Sequence, residues 1–178
     1  SMVKRVSVLD TTLRDGAQME GISFSVDDKL RITSKLDELG VAYIEGGWPG
    51  SNSKDAEFFA RARQLALRHA RLATFSSTRR VGVCAEQDAS IRALLQADVP
   101  VAVIVGKASP MHVTDVLGTT LAENLAMIHD TVAYVKARGL EVLFDAEHYF
   151  DGYALDADYA LATLEAAHAA GADLLVLC

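Results

Sequence analysis

Two hydrophobic patterns alternate along this chain: short continuous apolar runs, and longer stretches whose apolar residues fall three or four positions apart. The first run, Val6 to Asp10, predicts a short buried strand that empties into a polar, glycine-containing loop from Thr11 to Phe24. Ser25 followed by Asp28 then predicts a capped helix, with Leu30, Ile32, Leu36 and Leu39 at helical spacing and Gly40 as its stop. Further strands are predicted at Val41 to Ile44, Leu72 to Phe75, Val101 to Val105, Leu140 to Phe144 and Leu174 to Leu177. Between them, helices are predicted from Lys54 to Leu67 with Ser53 as cap, from Glu86 to Ala97, and from Asp156 to Ala170. The region from Met111 to Arg138 is expected to hold one short and one long helix. Helix, glycine and strand follow one another at Gly40, Gly139 and Gly171.

Strands that are apolar throughout, alternating with helices, predict a parallel sheet covered by helices through right-handed crossovers. A doubly wound dinucleotide fold needs three glycines in the turn after the first strand. Here that turn reads Asp10-Thr-Thr-Leu-Arg-Asp-Gly-Ala-Gln18, and Asp15 would repel a phosphate. The expectation is therefore an α/β fold of the (β/α)8 TIM-barrel type. A full barrel takes about 250 residues and eight units, so this sequence is expected to hold about the first six strands with their helices. Residues 3–178 are read as the N-terminal portion of a catalytic barrel domain, and residues 1–2 as a cloning remnant, since Ser1 precedes Met2.

Composition narrows the functional classes. With 178 residues, 51% of them hydrophobic and 23% charged, the chain can bury a core. A net charge of -7 argues against a nucleic-acid surface, which requires clustered Lys and Arg. No apolar run reaches the roughly 18 residues of a membrane span, and no export signal is evident. Cys84 and Cys178 lie far apart with no CxxC or Cys/His spacing, which predicts neither zinc nor a disulfide framework and makes a cytoplasmic location the expectation.

In α/β folds, reactive groups gather on loops beyond the C-terminal strand ends. That rule selects Arg14, Asp15 and Gln18; Glu45; Ser76, Ser77 and Thr78; Lys107; and Asp145, Glu147 and His148. Arg14 and Asp15 read equally as a local ion pair or as an anion-stabilising cation beside a hard-cation ligand. Glu45 and Glu147 each end an otherwise apolar strand, where a carboxylate must be solvated, paired or bound to something. His69, His112, His129 and His168 carry no pairing signal, and no His-x-His occurs, so histidines alone cannot build a transition-metal site.

The run from Leu9 to Gln18 resembles the first strand and loop of the 2-isopropylmalate, homocitrate and citramalate synthase family, which also includes hydroxymethylglutaryl-CoA lyases. Ile44 to Asn52, Phe75 to Arg80 and Phe144 to Tyr153 resemble its citramalate synthase branch. The resemblance implies a barrel that binds Mg2+ or Mn2+ and condenses acetyl-CoA with a 2-oxo acid. It implies Asp15 as a metal ligand, Arg14 as substrate-binding and catalytic through the developing oxygen anion, and Glu147 as catalytic in proton transfer. Gln18 and Glu45 would line the substrate pocket. An apolar Leu143, where relatives that take a second carboxylate tend to carry a basic residue, points to pyruvate as substrate and (R)-citramalate as product. Small molecules, with neither nucleic acid nor membrane, are the expected partners, and the intact protein is expected to be a homodimer. The family's later His-x-His pair, its Asn ligand and an Asp-Thr-Asn-Gly-Gly loop have no counterpart here, so the piece by itself is expected to be inactive. Three alternatives stand beside this: a relative using another 2-oxo acid, a retro-Claisen lyase, and a non-catalytic partial barrel.

Overall fold

Six parallel strands form one sheet in strictly sequential order in the computed structural model, which describes residues 5–178. Residues 1–2, expected to be a cloning remnant, lie outside that range. The strands are β1 (Leu9–Asp10), β2 (Tyr43–Gly47), β3 (Arg71–Ser77), β4 (Val101–Lys107), β5 (Glu141–Glu147) and β6 (Leu174–Leu177). A doubly wound sheet reverses direction once from a central strand, whereas the unbroken order here is that of a barrel wall. The barrel expectation holds, with six strands.

Side-chain alternation separates an inner from an outer face. Phe75, Val103 and Leu143 stand side by side in register and form the inner cluster with Ala73 and Val101. The intervening Ala102, Ile104, Val142 and Phe144 face outward into a second cluster with Ile128, Val132 and Val135 of the covering helix. Six helices clothe that outer face: α1 (Val26–Leu39), α2 (Ser53–Ala62), α3 (Ala89–Gln96), α4 (Leu121–Ala137), α5 (Tyr149–Leu155) and α6 (Ala157–Ala169). None of the helices among the described residues is long and apolar enough to cross a membrane. Both cysteines are free thiols.

Local chemistry explains most boundaries and several departures. Ser25 and Asp28 make the reciprocal capping box, and Gly40, Gly139 and Gly171 all take positive φ where their helices stop. The first strand is shorter than its apolar run predicts: only Leu9 and Asp10 pair as strand, and Val6 is 84% exposed. Asn52, rather than Ser53, caps α2, its Oδ1 accepting the Lys54 N–H at 3.0 Å. That helix stops at Ala62, short of Leu67, and just beyond it the Asp37 carboxylate takes the N–H groups of Arg68, His69 and Ala70. Asp88 divides the predicted 86–97 helix by capping α3 through Ser90 and Ile91. The short helix before α4 is a π-helical turn, His112–Leu117. The α5 turn has no counterpart among the elements predicted from the sequence. Gly152 is there for close approach, since a Cβ would sit 2.4 Å from the Ala108 carbonyl oxygen.

Candidate active site

The C-terminal ends of the strands open into a pocket of about 740 Å3. Arg14, Asp15, Gln18, Glu45 and Glu147 all line it, joined by Lys107 and Asp145. Residues drawn from four loops and strand ends thus converge as the strand-end rule predicts.

Arg14 is the best-anchored group. Its Nε donates to Glu45 Oε1, and its guanidinium carbon lies 3.9 Å from the centroid of the Phe75 ring. Glu45 is 1% exposed, and burial pushes its carboxyl above the ordinary value even though the Arg14 charge pulls the other way. Glu45 thereby anchors the Arg14 guanidinium from below the rim through a buried ion pair. The Asp15 carboxylate is 68% exposed and touches Arg14 Nη1 only at 3.4 Å, which leaves it free to meet a ligand.

On the facing strands, Lys107 and Glu147 are register partners and form an ion pair. The backbone beneath Lys107 is held by Asn124, whose Nδ2 donates to the Lys107 carbonyl and to the Tyr159 hydroxyl, each at 2.9 Å. Asp145 is buried nearby with no hydrogen-bond partner on Oδ1, and burial raises its carboxyl above the usual range. Two cations and four carboxylates therefore share the rim.

Not every strand-end residue joins the pocket. Ser77 and Thr78 line it, whereas Ser76 is fully buried and hydrogen-bonds to Ser90 at 2.9 Å. His148 lies outside it, in a left-handed backbone conformation, with its ring 4.9 Å from that of His112. Leu143 packs in the inner cluster beside Val103 and is not among the residues that line the pocket. The apolar wall instead includes Trp48, Phe75, Val103 and Val105, with Leu9, Leu117 and Val176, and the strand-end rule selects none of these. Among the described residues no three His, Cys, Asp or Glu side chains converge as a metal-binding set. Asp15 offers one exposed carboxylate, so these residues alone do not fit a divalent cation.

The chain is 52% identical over 177 residues to the (R)-citramalate synthase of Aquifex aeolicus, covering 99% of this chain and 34% of that protein. It is 53% identical over 175 residues to the (R)-citramalate synthase of Sulfolobus acidocaldarius, covering 98% of this chain and 34% of that protein. The chain thus spans about a third of the length of the curated relatives it matches. Among solved structures, the Bacillus subtilis HMG-CoA lyase superposes with a TM-score of 0.77 at 16% identity, over 98% of this chain and 58% of that one, a likeness of fold. The HMGL-like family model matches residues 5–178. A sequential barrel wall with an arginine, an aspartate and a strand-end glutamate at one rim, matched along its described length by that model, belongs to the HMGL-like family.

Proposed function

We propose that the whole protein joins acetyl-CoA to pyruvate in a Claisen condensation, giving (R)-citramalate and free CoA. The observation that carries this reading is Arg14, fixed between Glu45 and the Phe75 ring at the mouth of a mainly apolar pocket. The identity with (R)-citramalate synthases over nearly the whole chain supports the same choice.

The chemistry needs a base for a methyl proton of acetyl-CoA and a positive group where the keto oxygen gains charge. On this reading Glu147 is the base and Arg14 donates hydrogen bonds to the developing alkoxide. The acetyl carbon bonds to the keto carbon, and water then cleaves the thioester to release the thiol. Gln18 lines the same rim and would help bind substrate. On the resemblance alone the whole protein would use a divalent cation, to which this chain would offer only Asp15. The other ligands would have to come from outside the described residues. We carry over a homodimeric state and a cytoplasmic location for the whole protein on the same footing.

Thiol release from acetyl-CoA by the whole protein, with Mg2+ or Mn2+, tests the reading. Pyruvate should be turned over faster than 3-methyl-2-oxobutanoate or 2-oxoglutarate, and the 178-residue chain alone should release none. Cleavage of hydroxymethylglutaryl-CoA without condensation of pyruvate would overturn it in favour of a lyase.

A further inference from the structure

Trp48 occupies a place in the pocket that the proposed chemistry does not use. It lines the wall beside Phe75, with ring centroids 5.2 Å apart and planes inclined at 73°. The same Phe75 ring carries Arg14. A keto acid with its oxygen on Arg14 would share the pocket with Trp48, the largest side chain that lines it.

The structure holds this residue at both its indole and its backbone. Its Nε1 donates to Ser90 Oγ at 3.2 Å, and Ser90 is itself bonded to Ser76. Its backbone N–H donates to Asp55 Oδ2 at 2.8 Å. The other oxygen of Asp55 takes Lys29 Nζ at 2.6 Å, and both residues of that pair are buried, Lys29 to 4% and Asp55 to 8% exposure. Glycine at position 47 is what lets the strand end meet this carboxylate, because a Cβ there would sit 2.4 Å from Asp55 Cγ. A buried ion pair contributes little net stability compared with apolar residues of similar volume. Unlike an apolar pair, this one offers a fixed acceptor to the backbone of the residue that walls the pocket.

We propose that Trp48 determines which 2-oxo acid side chains the pocket admits, and that the Lys29–Asp55 pair is the positioning device that sets it. This deepens the condensation reading and rests on it. A rigid indole against Phe75 suits a methyl side chain and excludes longer or branched ones.

Three 2-oxo acids with successively larger side chains, pyruvate, 2-oxobutanoate and 3-methyl-2-oxobutanoate, test it in the whole protein. One methylene changes kcat/KM by about 10- to 200-fold when a pocket discriminates on size. Trp48→Ala should therefore raise the ratio of kcat/KM for 2-oxobutanoate over pyruvate at least about tenfold, and Trp48→Phe should raise it less. Loss of thiol release from pyruvate in the unaltered protein counts against the function itself. Normal release there, with an unmoved ratio in Trp48→Ala, counts against the wall alone. Trp48 is the sole tryptophan of the 178-residue chain, and in the whole protein the emission lost on Trp48→Phe isolates its signal, which reads the positioning. Asp55→Asn and Lys29→Met should each shift its emission to the red and raise acrylamide quenching while the circular dichroism stays unchanged. Unmoved emission in a folded variant would overturn the positioning role.

Discussion

Two carboxylates at the pocket and two at the opposite end of the sheet are held in opposite ways. At the N-terminal end, Asp37 accepts N–H groups from Arg68, His69 and Ala70, and these hold it below the ordinary carboxylate range against the upward push of burial. Asp173, just ahead of β6, is lowered by Lys136 and by the Val142 N–H. At the C-terminal rim, Glu45 and Asp145 receive no backbone N–H, and burial raises both. The same residue type thus ties strands to helices at one end and stores unfavourable electrostatics around a pocket at the other. The contrast matches the division of a barrel into a stabilising bottom and a reactive top.

The largest effect should come from separating Arg14 from Glu45. Stripping one partner from a buried ion pair leaves an uncompensated charge, which costs about 3–5 kcal/mol. Arg14→Leu should destabilise the chain by that order in urea titration at pH 7, and Arg14→Leu combined with Glu45→Gln should recover most of the loss. Failure of the second change to rescue the first would mean that Glu45 is neutral without help, and the rim would then hold less strain than its contrast with the opposite end implies.

At the other end, Asp37→Ala should cost about 1–3 kcal/mol, because the buried Ala70 N–H loses its acceptor while the N–H groups of Arg68 and His69 can turn to water. Activity of the whole protein should be unchanged by it. The sign with pH follows from the lowered carboxyl. The stability Asp37 supplies is full above its unfolded value of 3.8 and is lost as pH falls through the folded one, so the gap between the two proteins should close in acid.

Much of this arrangement is legible in the sequence. The glycines at 40, 139 and 171 mark true helix ends, and the strand-end rule brings Arg14, Asp15, Gln18, Glu45 and Glu147 to one pocket. What hides is whatever depends on a distant partner. The stop of α2 at Ala62 precedes a segment that meets Asp37, about thirty residues earlier in the chain. Lys107 meets Glu147 across 40 positions because β4 and β5 set that register, and no local pattern encodes it. Trp48 sits in a Gly-Gly-Trp-Pro-Gly stretch that reads as a turn, and its partners Asp55, Phe75 and Ser90 all lie further along the chain. Val6 and Val8 carry an apolar strand pattern, but both are exposed and only the last two residues of their run pair as strand.

Asp145 offers the finest division between the two ends. Its carboxyl is buried, its Oδ1 has no partner, and it has no cation of its own, so asparagine should fit with less electrostatic cost. A raised carboxyl means that the native state binds its proton more tightly than the unfolded chain does. Its contribution is therefore favourable below the unfolded value of 3.8 and is lost as pH rises through the folded one. Asp145→Asn should accordingly raise stability at pH 7 by about 1 kcal/mol, the usual scale for a single substitution, and should change nothing near pH 3. Thermal melts of the two proteins across that range measure it directly. A gain that persists undiminished at pH 3 would assign the effect to packing, leaving Glu45 as the one strained carboxylate at the rim. A loss at pH 7 would mean that Asp145 is as well satisfied as Asp37, and the electrostatic difference between the two ends would rest on Glu45 and its arginine.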